Sequence, residues 1–155
     1  MSQATIKLRP YQTAEFDAAV TLWQRAWQLA YPQIEFSKRV GWFREHWNGL
    51  LLDSKIVVAE CPDASRLAGF VAVSPRTGYL DQIVVAPEAQ RTGVGKALLG
   101  AAKQIGPDGL YLHVNQDNAR ALAFYRTGGF IVAGEDVNRR SGAPVYMMTW
   151  RPAAD

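Results

Sequence analysis

The sequence predicts an α/β (α+β) fold: a single mixed, mostly antiparallel, twisted sheet of six to seven strands flanked by about four helices. Three observations carry this. Of 155 residues, 48% are hydrophobic, which suits one compact core and leaves little room for a second, so residues 1–155 read as one domain. Short runs rich in Val, Ile, Leu and Tyr alternate with longer segments of helical periodicity. Between one such run and one such helix lies a loop with two glycines, Gln90-Arg91-Thr92-Gly93-Val94-Gly95-Lys96, of the kind that turns a strand into a helix.

Each element has its own signal. Ala4 to Arg9 reads as a first strand ended by Pro10. Phe16, Ala19, Val20, Trp23, Ala26, Trp27 and Ala30 recur at the spacing of one buried helix face, and Pro32 stops that helix. Ser37 is placed to cap a second helix running to about Asn48, with Val40, Phe43 and Trp47 on one side. Lys55 to Glu60 and Arg66 to Ser74 read as strands joined by the turn-rich Pro62-Asp63-Ala64-Ser65, hence as a hairpin. Tyr79 to Val85 is the next strand, and Val94, Ala97, Leu98, Ala101, Ala102 and Ile105 form the apolar stripe of a helix ended by Gly106-Pro107. Gly109 to Val114 is a strand, and Asn118 to Thr127 is a short helix closed by Gly128-Gly129. Phe130 to Ala133 and Val145 to Trp150 are the last strands, and the polar stretch Gly134 to Pro144 between them reads as a hairpin loop.

Composition excludes several function classes. A formal charge of +3, from 17 basic and 14 acidic residues, is too mild for nucleic-acid binding by bulk electrostatics. The lone Cys61 forms no internal disulfide, and two histidines without cysteine partners give no zinc spacing, so no metal site is expected. No signal-peptide pattern and no run of about 18 apolar residues is present, which predicts a cytoplasmic chain without membrane contact. The abundance of aromatic residues suits a homodimer face.

The loop from Gln90 to Lys96 points to a phosphate-bearing ligand. A helix N-terminus leaves backbone N–H groups unpaired and carries partial positive charge, and Gly93 and Gly95 keep Cβ atoms out of the way. Arg91 and Lys96 add formal charge beside the same amides. The alternative is an ordinary strand-to-helix turn with solvated basic residues. A P-loop is excluded, because Gln90 stands where its first glycine belongs and Ala97 where magnesium needs a hydroxyl. A dinucleotide fingerprint fails as well, since Leu98 occupies its third glycine position.

The pattern Gln90-x-x-Gly93-x-Gly95, after a strand ending Val84-Val85-Ala86-Pro87, resembles the acyl-CoA signature of the GNAT superfamily of N-acyltransferases. Asn118-Ala119-Arg120-Ala121, then Phe124-Tyr125 and Gly128-Gly129-Phe130, is similar to that superfamily's second diagnostic block. The element order fits from Ala4 to Trp150. Gly128 departs from the pattern, standing where a larger apolar residue is usual, and is expected to loosen that helix end. The resemblance implies a GNAT-like sheet with splayed central strands and acetyl-CoA as co-substrate. It implies that Ile83, Val84 and Val85 face the pantetheine arm, and that Arg91, Thr92, Gly93, Val94, Gly95 and Lys96 wrap the pyrophosphate. Asn118 would hydrogen-bond the pantetheine or phosphate region, and Tyr125 would sit near the thioester sulfur.

An acyl thioester is already activated, so aligning an uncharged amine and stabilising the oxyanion suffice, and Cys61 is not needed as an acyl carrier. The N–H of Val84 or Val85 is placed to polarise the carbonyl. Tyr125 is the candidate to give a proton or hydrogen bond to the departing sulfur; otherwise it is a core aromatic. An amine is mostly protonated at neutral pH, so a base is needed, and Asp81 is the candidate unless it is an exposed strand residue paired with a cation. Strand alternation turns Gln82 to the opposite side. His113 shares a face with Tyr111 and is a candidate for a proton relay, and His46, in the aromatic helix near Trp42 and Trp47, for lining the substrate; the alternative for both is a structural or surface residue, and neither is entered as catalytic. By resemblance, the first two helices and the last hairpin loop build the acceptor wall, with Trp27, Tyr31 and Trp42 as its candidates. The acceptor is a primary amine, whether small amine, amino acid or protein amine. The alternative is a non-catalytic acyl-CoA-binding domain.

Overall fold

The structure, a computed structural model, describes residues 6–61 and 66–153. The expected start of the first strand at Ala4 and the turn from Pro62 to Ser65 lie outside the described residues. In chain order the elements are β1 (Leu8–Pro10), α1 (Phe16–Ala30), α2 (Val40–Asp53), β2 (Lys55–Glu60), β3 (Leu67–Val73) and β4 (Leu80–Val85). They continue with α3 (Val94–Ile105), β5 (Leu110–Asn115), α4 (Ala119–Thr127), β6 (Ile131–Val137) and β7 (Pro144–Trp150).

The strands form a four-stranded sheet, β1-β2-β3-β4, and a three-stranded sheet, β5-β7-β6, with every paired neighbour antiparallel. One parallel bridge, Tyr79 with Tyr111, joins the two, and there the Tyr111 N–H donates to the Gly78 carbonyl at 3.0 Å. Beyond it no ladder pair links β4 to β5 among the described residues. The expected seven-stranded sheet is therefore present as two pieces splayed at its centre.

β3 is the spine. All seven of its residues are buried, because helices cover both of its faces. Gly69 faces α3 so closely that a Cβ would lie 2.8 Å from Leu98 Cδ1 and 2.6 Å from the Val84 carbonyl oxygen. The next residue, Phe70, meets Trp47 of α2 on the other face, ring centroids 5.1 Å apart. Trp47 and Phe43 are fully buried beside it, and emptying such a site by Phe70→Ala costs about 3–5 kcal/mol.

Three local expectations are corrected. Ser37 is not a helix cap: it lies in a 3-10 turn, Phe36–Arg39, and α2 begins at Val40 after an uncapped Arg39 and runs on to Asp53. The loop predicted over Gly134 to Pro144 is mostly strand, since β6 reaches Val137 and pairs with β7 as far as Pro144. β6 is an edge strand exposed along nearly its whole length, so Glu135 and Asp136 are tolerated in it. Gly128 sits in a tightly packed helix end and not a loosened one: a Cβ there would lie 2.4 Å from Leu99 Cδ2, so a larger residue would make the Leu99 side chain shift. The exposed large apolar side chains among the described residues are the aliphatic Leu29, Leu51, Leu52, Ile131, Val132 and Val137, and the aromatics are buried or half-buried. No helix among the described residues is long and apolar enough to cross a membrane.

Candidate active site

A cavity of about 420 Å³ opens where β4 and β5 part. One end is walled by Trp27, Trp42 and His46 from α1 and α2, the other by Asn118, Ala121 and Tyr125 from α4. Asp81, Gln82 and Ile83 of β4 and His113 of β5 form its sides.

Asp81 owes its position to a β-bulge. Ala72 pairs with Gln82 but Val73 pairs with Leu80, which leaves Asp81 as the extra residue in β4. The bulge breaks strict alternation, so the expectation that Gln82 faces away from Asp81 is wrong: both line the cavity, and Gln82 Nε2 donates to Asp81 Oδ1 at 3.4 Å. His46 Nε2 lies 2.6 Å from the same oxygen. A carboxylate only accepts, so Nε2 carries the hydrogen and Nδ1 of the neutral ring is left as an acceptor. Trp42 holds the imidazole by stacking, centroids 4.7 Å apart and 15° between planes. The sequence offered His46 only as a lining residue, because its partner lies 35 residues away, across a bulge that no local pattern announces. The one available signal was its spacing of one helical turn from Trp42.

The ladder of β4 also decides which amides are free. The Ala86 N–H donates to Ala68 at 2.8 Å, and Val84 and Gln82 share its parity, opposite Phe70 and Ala72. By antiparallel alternation the N–H groups of Val84 and Gln82 turn into β3, while those of Val85 and Ile83 turn outward toward β5. Of the two candidates for polarising a carbonyl, Val84 is therefore spent in the ladder, its side chain 3% exposed in the core, and Val85 is free.

Tyr125 is fixed by the end of its helix. The Phe130 N–H donates to the Tyr125 carbonyl at 2.9 Å and the Gly129 N–H to Arg126 at 3.0 Å, a Schellman motif with Gly129 at φ +95°. The Tyr125 and Phe130 rings meet edge to face at 5.5 Å. The Tyr125 hydroxyl has no hydrogen-bond partner among the described residues, and burial, with Tyr79 adding to it, pushes its pKa well above the usual tyrosine range. Asn118 caps α4, its Oδ1 accepting from the Ala121 N–H at 3.1 Å, so only its Nδ2 remains for a ligand.

Past β4, a short 3-10 turn (Pro87–Ala89) leads into the loop, where Arg91 has φ +65° and Gly93, the N-cap of α3, has φ +93°. The first helical bond at this end runs from Ala97 to Gly93 at 3.0 Å, leaving the N–H groups of Val94, Gly95 and Lys96 without helical acceptors. Thr92 Oγ1 donates to the Ala89 carbonyl, and Gly95 is needed where Phe124 Cε1 would stand 3.1 Å from a Cβ. Arg91 and Lys96 are exposed beside these amides. The arrangement fits an extended ligand with phosphates at α3 and a thioester between β4 and Tyr125.

Of the acceptor candidates, Trp27 and Trp42 line the cavity and Tyr31 does not. Tyr31 is buried behind Trp27, donating to Asp117 Oδ1 at 2.8 Å and accepting from Asn115 Nδ2 at 3.0 Å. His113 joins the Tyr79 and Tyr111 cluster instead of Asp81, its Nδ1 3.0 Å from the Tyr79 hydroxyl. Burial, then the charge of Asp81, pushes that Tyr79 phenol up to about 12.

Comparison with known proteins agrees with this geometry. The chain is 28% identical over 149 residues to the peptidyl-lysine N-acetyltransferase YiaC of Escherichia coli (strain K12), covering 92% of this chain and 95% of that protein. It is 25% identical to the peptidyl-lysine N-acetyltransferase YjaB of Salmonella typhimurium, with the same coverages. The crystal structure of the PaiA N-acetyltransferase from Thermoplasma acidophilum in complex with coenzyme A superposes with a TM-score of 0.78 at 20% identity, over 96% of this chain and 99% of that one. The model of the acetyltransferase (GNAT) family matches residues 16–130. The chain belongs to the GNAT family of acetyltransferases.

Proposed function

We propose that the chain transfers the acetyl group of acetyl-CoA to a primary amine by direct attack within a ternary complex. The observation that carries this reading is the convergence, in one cavity, of the Asp81 and His46 pair with the unpartnered Tyr125 hydroxyl. Acetyl-CoA supplies an activated acyl group. Everything else falls to the protein: the amides of Val94, Gly95 and Lys96, with Arg91, hold the phosphates, and Asn118 Nδ2 and the outward N–H of Ile83 anchor the arm between the sheets. The Val85 N–H polarises the carbonyl and stabilises the charge that develops on its oxygen.

The amine must lose a proton before or as it attacks. His46 Nδ1 accepts it, and Asp81 holds the ring and balances the charge it gains. At the other end, a thiol of pKa near 8.5 is far more acidic than the raised Tyr125 phenol, so Tyr125 keeps its proton and stabilises the departing sulfur by donating a hydrogen bond.

Thermal shift with acetyl-CoA and longer acyl-CoAs, followed by a thiol-release screen over amines, tests the proposal. Acetyl-CoA is expected to raise Tm and to support release, and Asp81→Asn or His46→Ala to lower kcat by about 100-fold or more. Failure of every acyl-CoA to raise Tm counts against it.

A further inference from the structure

Two arginines line the acceptor end of the cavity, and acetyl transfer needs neither. Arg39, just before α2, lies with Cζ 5.3 Å from the Phe36 ring centroid. Arg140, from the loop joining β6 to β7, lies over Trp42 with Cζ 3.8 Å from the centroid. Among the described residues neither meets a carboxylate within salt-bridge distance, whereas Arg9, Arg25, Arg44 and Arg66 each do. Loss of solvent, and then the charge of Arg39, lower the pKa of Arg140 from its ordinary value. Like charges gathered over aromatic faces with no anion between them are relieved by a ligand that brings one.

The loop holds Arg140 in place. Asn138 Oδ1 accepts from the N–H groups of Arg140 at 2.9 Å and Ser141 at 3.1 Å, and Asn138 and Ala143 close the turn at 2.8 Å. Asp81 offers negative charge beside His46, and Trp42 connects that pair to the loop, its ring stacked on His46 and lying under Arg140. The lining on this side thus combines two cations, aromatic faces and one carboxylate.

We propose that the acceptor is a small zwitterion: an amine joined by a short apolar chain to a carboxylate or phosphate that Arg39 and Arg140 hold while the amine reaches Asp81 and His46. This rests on the acetyl transfer proposed above and adds the substrate class. Matched pairs test it: 6-aminohexanoate against 6-aminohexanamide, and 2-aminoethyl phosphate against ethanolamine. Binding is measured by calorimetry with coenzyme A present, and turnover by thiol release.

The member of at least one pair that carries the carboxylate or phosphate is expected to bind about 10- to 100-fold tighter than the partner lacking it, the range set by charge-assisted hydrogen bonds. Whichever pair shows the larger ratio identifies carboxylate or phosphate. Arg39→Gln and Arg140→Gln should each bring that ratio to within about threefold, the rest of the cavity making no distinction between the partners. Equal binding of both members of each pair by the unaltered protein overturns the proposal, as does binding of lysine peptides with no binding of either zwitterion. Acetylation of amines with and without the anionic group alike keeps the acetyl transfer and discards the zwitterion. Zwitterion binding in a chain that binds no acyl-CoA does the reverse.

Discussion

Tyr125 carries one atom that matters for the proposed reaction, and the Schellman motif behind it keeps the ring from drifting when that atom is removed. Tyr125→Phe is therefore expected to lower kcat by about 10- to 100-fold while leaving the KM for acetyl-CoA within about threefold. Burial raises the phenol's pKa, so the protonated donor persists beyond the pH at which an ordinary tyrosine ionises. The ratio of wild-type to variant kcat should stay flat up to about pH 10; a ratio that collapses toward one near there would show an unshifted phenol. Tyr125 and Asp81, both named from the sequence, line the cavity: Tyr125 sits in a block of fixed local spacing, and Asp81 stood out as the one carboxylate in an otherwise apolar strand. The pairing of His46 with Asp81 was not legible, since it depends on where a bulge falls in a distant strand. Tyr31 was misread for a related reason: an aromatic at a helix end looks the same whether its hydroxyl is free or tied to Asp117.

At the scale of elements, the turn into α3 depends on one backbone conformation and one ion pair. Gly93 adopts φ +93°, so Gly93→Ala is strained by about 1–2 kcal/mol, read as a fall in Tm of roughly 2–8 °C. The same change crowds the phosphate amides and should raise the KM for acetyl-CoA. Arg25 of α1 reaches Glu88 in the 3-10 turn before the loop at 2.6 Å, and its guanidinium, with Arg66 adding less, holds the Glu88 pKa down at about 2. A carboxyl depressed on folding contributes stability above its unfolded value near 4.5, and that contribution disappears as pH falls toward 2. Arg25→Met should thus lower Tm modestly at neutral pH, as fits an exposed pair, with the gap closing as the pH is taken down to about 2. A gap independent of pH would mean that the pair contributes nothing. Helix bounds were legible where an apolar stripe met Pro or Gly, as in α1 and α3. β6 was not, because an exposed edge strand leaves no hydrophobic alternation to read.

For the molecule as a whole, two sheets joined by one bridge at Tyr79 and Tyr111 leave the seam between β4 and β5 to be closed by whatever occupies it. Coenzyme A at about 100 times its Kd should stabilise the fold by about 2.7 kcal/mol and raise Tm by roughly 5–10 °C. Hydrogen exchange at Val84, whose N–H is already in the ladder, should slow only as far as the whole fold is stabilised, while the Ile83 and Val85 amides, which gain a partner, should show the larger gain in protection relative to the free protein; a gain at Ile83 and Val85 no larger than that of ladder amides distant from the seam would place the ligand elsewhere. The splay itself was legible only through family resemblance, since no residue pattern marks a missing ladder. The bulge at Asp81 has a consequence for how such chains are compared and rebuilt. It stores a chemical instruction in the count of residues along β4, and the count sets the frame in which every earlier side chain of that strand is read. A relative lacking the extra residue would present an aligned aspartate to the opposite side, so a role transferred by alignment alone is transferred out of frame.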